Sequence, residues 1–178
     1  LTRVSTVYLD KAGLIGKVSL SLRALPLYIV LSETLVFAFS IFLFLLFLLI
    51  VGFPLSAHWW WLIPIYLVQQ LLAYSLGFGC AILGVFLRDV VEFVKIVVSL
   101  WFWLTPIVYV VDILPPSTQG WLAWNPMTHI VSAGRDVILY ARAPDIVVLA
   151  KLSLFAMALL GMALFGLNRL ERELRDFI

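Results

Sequence analysis

The chain has 178 residues, 64% of them apolar or aromatic and only 12% charged, with a formal net charge of +2. An ordinary soluble domain is about 45–50% apolar and about 25% charged, and too few polar side chains remain here to cover a surface that faces water. A water-soluble fold is excluded, and so is nucleic-acid binding, which needs basic residues clustered on one face. The single cysteine, Cys80, sits in an uncharged run and supplies neither an intrachain disulfide nor a metal site.

In chain order, residues 1–26 come first. Leu14, Ile15, Val18, Leu22 and Leu25 recur at helical spacing around Lys17 and Arg23, which predicts an amphipathic helix lying along a membrane surface. The first apolar run begins only near Ala24 and residue 1 is leucine, so the expectation is of a fragment without visible signal peptide. A membrane-crossing helix needs about 20 apolar residues, because it rises about 1.5 Å per residue through a core about 30 Å thick. Four segments qualify: 27–53, interrupted only by Glu33 near its start; 59–87, with no charged residue; 90–111, with Glu92 and Lys95 in its first turns; and 146–168, with Lys151 near one end.

Residues 112–145 are too short for two spans, and Trp121, Leu122, Trp124, Ile130 and Val137 are too apolar for a solvated loop. A re-entrant helical hairpin fits. Pro115 and Pro116 would stop the third span, Asn125 would cap a second short helix, and Pro126 would take its first turn, where the missing N–H costs nothing. Irregular backbone at membrane depth is tolerated only against protein or a water-filled cavity, so the hairpin implies a pathway.

Orientation follows from the basic residues, which stay with the cytoplasmic loops. Arg3, Lys11, Lys17, Arg23, Arg88, Lys95, Arg169, Arg172 and Arg175 fall on one side; the opposite side has Arg135 and Arg142, with Lys151 at a span end. Both ends of the chain, including the tail 169–178, are therefore expected in the cytoplasm, with Trp59, Trp60 and Trp61 at the outer interface, where amphipathic rings prefer to lie.

No enzyme constellation is present. GLIGK at residues 13–17 lacks the earlier glycine of a phosphate loop, since position 11 is Lys11, and no Ser or Thr follows Lys17. Gly77, Gly79 and Gly84 with Ala81 read as a small-residue face for close helix packing rather than a dinucleotide turn. Glu33 reads either as a proton relay or as a carboxylate held by a neighbouring helix. His58, beside three tryptophans, is an interfacial residue; His129 lies in the broken segment near Arg135 and Asp136, where a cavity-facing role competes with a structural one. Trp101 and Trp103 cannot share a helix face, so at least one looks into protein or pathway, with packing as the plainer reading of each ring.

Taken together, KAGLIGKVSLSLRALPL, FLRDV at 86–90, LTPIVY at 104–109, WNPMTHI at 124–130 and RLERELRD at 169–176 resemble, in that order, the permease subunit of type-2 ATP-binding-cassette exporters. The polysaccharide exporters, which move O-antigen, capsule or teichoic-acid chains, are the most similar subset. The resemblance implies an all-α integral-membrane fold: four spans in this chain, a cytoplasmic coupling helix and an outer re-entrant hairpin, without two N-terminal spans of the full family fold.

It also implies roles. Gly13, Leu14, Lys17 and Arg23 would contact a separate ATPase subunit, with Arg88 and Asp89 as a second contact. Glu33, Trp101, Trp103 and Tyr109 would line the translocation path, and Trp121, Trp124, Asn125, Pro126 and His129 would form the outer gate. The implied partners are two copies of a cytoplasmic ATPase, a second copy of the permease, a lipid-linked glycan and membrane lipid. ATP and magnesium would be bound by the ATPase, with no cofactor or metal in this chain. The implied location is the bacterial inner membrane. Two alternatives stand beside this reading: the same fold exporting a drug, peptide or lipid, and an integral-membrane enzyme acting on lipid-linked sugars.

Overall fold

The computed structural model describes residues 1–11, 24–54 and 56–177. Gly13, Leu14, Lys17 and Arg23, the expected coupling residues, lie outside the described residues. Every regular element among those described is helical: α1 (Thr2–Ser5), α2 (Val7–Asp10), α3 (Ala24–Ile50), α4 (Leu62–Phe86), α5 (Arg88–Leu104), α6 (Pro116–Leu122), α7 (Pro126–Ile138) and α8 (Ile146–Phe177), with 3-10 turns at Ala57–Trp61 and Val111–Ile113. Three are long and apolar enough to cross a membrane: α3, the Ala57–Phe86 stretch that contains α4, and α8 as far as Leu170.

The ends of these helices follow local chemistry. After α3, Gly52 takes a left-handed conformation, φ 76°, its N–H donates to Leu49 O and the N–H of Phe53 donates to Leu48 O. This is the double closure for which glycine is suited. Asp145 caps α8, its Oδ1 accepting from the amides of Val147 and Val148 at 2.9 and 3.2 Å. The helix continues past Asn168, where the apolar stretch ends, because the following Arg, Leu and Glu residues are strong helix formers and no Gly or Pro interrupts them.

α4 is the axis of the bundle and packs most extensively on α8. Ile65, Val68 and Leu72 of its first half share a core with Leu149, Leu152 and Ala156, and Phe78, Ala81, Ile82 and Val85 of its second half share one with Ala163 and Leu167. The two helices therefore run parallel. α5 folds back along α4 after the single extended residue Leu87, so the chain has already returned to the Trp59–Trp61 end when α7 packs there through Ile130, Ala133 and Val137.

Of the small-residue face, Gly77, Ala81 and Gly84 lie at one-turn spacing and are used: a Cβ on Gly77 would stand 2.8 Å from Val4 Cβ, and one on Gly84 would stand 2.9 Å from Val91 Cγ2. Gly79 points elsewhere and meets nothing within 4 Å.

Two features depart from the sequence reading. The start of the chain, within the 1–26 region, is not all at the surface: Val4, Val7 and Tyr8 are buried along the second half of α4, with Val4 against Gly77; most of the amphipathic stretch expected over 13–25 lies outside the described residues. The helix expected over 90–111 ends at Leu104. Thr105 precedes Pro106 and is forced into extended backbone, ψ 131°, so the apolar residues up to Val110 continue as a non-helical strap.

Candidate functional site: the junction of α5, the strap and α7

The break after Leu104 frees backbone groups that must find partners away from water. Thr105, almost fully buried, turns its hydroxyl back to Trp101 O at 2.7 Å. Asn125, in the turn between α6 and α7, does more. Its Oδ1 accepts from the amide of Met127 at 3.0 Å, which makes it the N-cap of α7, and from Trp101 Nε1 at 2.8 Å. Its Nδ2 donates to Leu104 O and to Thr105 Oγ1, each at 3.2 Å. Both amide hydrogens and two acceptor positions are in use. Indole and backbone N–H groups can only donate, so the oxygen must face them; aspartate would cap α7 but could not donate to Leu104 O.

Ten residues further along α7, Arg135 donates through Nη2 to Ile107 O at 2.9 Å and Tyr109 O at 3.0 Å. Among the described residues the ion pairs are Arg3–Glu33 and Lys95–Glu92; Arg135 belongs to neither, and its side chain is spent on the two carbonyls. The strap is thus held along α7 from one end to the other, by Asn125 at Leu104 and Thr105 and by Arg135 at Ile107 and Tyr109. Trp101, Thr105, Ile107 and Met127 also line a cavity of about 250 Å³, mostly apolar, together with Leu72 and Gln69 of α4.

The remaining expected residues divide. Pro126 takes the first turn of α7 beside its cap. His129 Nε2 lies 2.8 Å from Ala123 O, closing the α6–α7 turn. Trp121, in the last turn of α6, and Trp124, on the α6–α7 turn, are strongly exposed, and Trp103 is exposed on α5. Tyr109 reaches back to Trp103 O at 3.4 Å. Asp89 is exposed in the first turn of α5, which Arg88 opens. Glu33 is brought elsewhere. It pairs with Arg3 in a groove of about 320 Å³ between α3 and α4, lined also by Tyr66, Gln69 and Gln70. There Gln70 Nε2 donates to Thr34 Oγ1 at 3.2 Å and to the Tyr66 hydroxyl, and Phe37 stacks on Tyr66 with centroids 4.2 Å apart.

Sequence reasoning missed Arg135 as a backbone clamp, Thr105 as the buried residue at which α5 breaks, and the polar residues of α4. The Thr-Pro pair marked the break. Gln69 and Gln70 inside an uncharged span marked the groove, since polar side chains there join helices by hydrogen bonds.

Residues 3–139 match the ABC-2 type transporter family. The chain is 25% identical over 173 residues to the O-antigen export system permease protein RfbA of Klebsiella pneumoniae, covering 96% of this chain and 66% of that protein. A second RfbA from the same organism is 28% identical over 133 residues, 74% of this chain and 51% of the relative. RfbA of Myxococcus xanthus is 26% identical over 160 residues, 86% and 60%. The chain thus spans between about half and just under two thirds of the length of these curated relatives.

Proposed function

The chain belongs to the ABC-2 type transporter family, and from that premise we propose that it is the membrane-spanning permease of an ATP-driven exporter of lipid-linked polysaccharide. The observation that carries the mechanism is the knot at Asn125, which joins the end of α5 to the start of α7. In this reading α5 is a fourth crossing. Its 17 residues span about 25 Å at about 1.5 Å each, and because α4 and α8 run parallel the chain must return between them. Basic residues orient the Arg88 end toward the cytoplasm of a bacterial inner membrane. The opposite end is then the outer one, with α6 and α7 as a re-entrant pair over the path.

Hydrolysis belongs to a separate ATPase, two copies serving two permeases. The segment with Gly13, Leu14, Lys17 and Arg23 and the turn at Arg88 and Asp89 receive its motion, and α5 carries that motion to the knot. Charge reversal at Lys17 and Arg23 together should leave insertion intact and uncouple transport from hydrolysis. Glycan export is tested in vesicles holding the full-length permease and its ATPase, with a lipid-linked O-polysaccharide in the outer leaflet of inverted vesicles. ATP-dependent enclosure of the glycan supports the reading. Enclosure of a fluorescent lipid or drug, but not the glycan, under the same conditions assigns a different cargo.

A further inference from the structure

Arg135 makes no ion pair among the described residues, and its side chain instead holds two backbone carbonyls, Ile107 O and Tyr109 O, with one nitrogen. Those two carbonyls belong to a strap with no secondary structure of its own, and Ile107 is also part of the cavity wall beside Trp101 and Met127. Asn125 fastens the strap where it leaves α5; Tyr109 ties its far half back to Trp103 O of α5, and among the described residues Arg135 joins that half to α7. Both bonds leave Nη2, whose two hydrogens are held in the guanidinium plane at a fixed divergence, whereas the three hydrogens of an ammonium turn freely at the end of a flexible stem. If α7 moves relative to α5, the Asn125 end can act as hinge while the Arg135 end must let go, and the freed carbonyls then need water.

We propose that Arg135 is a positioning residue, the latch that keeps the Thr105–Tyr109 strap against α7 as one wall of the apolar cavity. This rests on the exporter reading above, in which α7 moves with ATP. Charged donors make the stronger hydrogen bonds, so the latch gives the closed state a definite geometry rather than a general stickiness.

The test uses the full-length permease with its ATPase in membranes, a Cys80→Ser background and Leu72→Cys, a buried position on the α4 wall of that cavity. The rate of labelling by a membrane-impermeant maleimide from the outer side is measured with and without ATP. In the parent, ATP should speed labelling; in Arg135→Met, labelling without ATP should already be about tenfold faster, as expected for losing charged-donor bonds, and ATP should add little. Arg135→Lys should give an intermediate rate. Parental rates in Arg135→Met overturn the proposal, as does an equal rise in Asp136→Asn, which leaves the carbonyl bonds in place. Should Arg135→Met not accumulate, Arg135→Lys decides alone: faster labelling than the parent supports the latch and an unchanged rate overturns it. Labelling requires no cargo, so loss of the latch and loss of the glycan-export reading are separately visible.

Discussion

α3 and α4 are both long apolar helices, yet the more apolar of the two is the less buried. None of the most apolar window of α3 is interior, whereas half of that of α4 is. α3 meets α4 through a few specific contacts, the Gln70–Thr34 hydrogen bond and the Phe37–Tyr66 stack, and meets α1 through Arg3–Glu33. α4 meets its neighbours through close approach, at Gly77, Ala81 and Gly84, and through two continuous apolar cores. In lipid, a greasy surface has no reason to leave its solvent, so hydropathy identifies what lipid can face. Small residues and a few polar groups decide what packs on what.

The contrast can be broken at three points, in falling order of effect. Gly77→Ala places a methyl group 2.8 Å from Val4 Cβ, an atom that cannot swing away. Its cost should be about 1–3 kcal/mol, the range for overpacking, read as a lowered denaturation midpoint in detergent. Gly79→Ala, where a Cβ meets nothing within 4 Å, should be neutral or slightly stabilising through helix propensity. Equal losses at both glycines would remove the close-approach account of α4.

The Gln70–Thr34 contact should be worth about 0.6 kcal/mol in a double-mutant cycle of Gln70→Leu and Thr34→Val, the average for hydrogen bonds between membrane helices. A coupling near zero would leave the α3–α4 association to the aromatic stack. Smallest of all, Leu35→Ala, at a position 73% exposed on α3, should change stability by no more than about 0.5 kcal/mol. A loss as large as that of Gly77→Ala would mean that this face of α3 packs on protein in the membrane.

What the sequence reveals follows the same division. α3, α4 and α8 are legible because length and apolarity are local properties. The start of α7 is legible because an Asn-Pro pair is a cap by its own chemistry, and the Gly77–Gly84 face by its one-turn spacing. The end of α5 is misjudged because hydropathy runs on through Ile107, Val108 and Val110 while the backbone obeys Pro106. Arg135 is hidden for a different reason: its partners are carbonyls 26 and 28 residues away, and a carbonyl has no letter in a sequence. The burial of Val4 depends on Gly77 of α4, far along the chain.

Asn125 ties α7 to α5, and in the exporter reading proposed above that tie makes the hairpin of α6 and α7 move with ATP. Removing the side chain's hydrogen bonds by Asn125→Leu also removes the cap, worth about 0.5–2 kcal/mol, enough to bias two states separated by a few kcal/mol. The direct measurement is labelling from the outer side of single cysteines replacing Trp121 or His129, in a Cys80→Ser background with the full-length permease and its ATPase. Labelling that depends on ATP in the parent and loses that dependence in Asn125→Leu, with normal membrane insertion, is the predicted result. Equal labelling of both sites in variant and parent, with and without ATP and with unaffected export, would contradict the account and leave the hairpin a static plug.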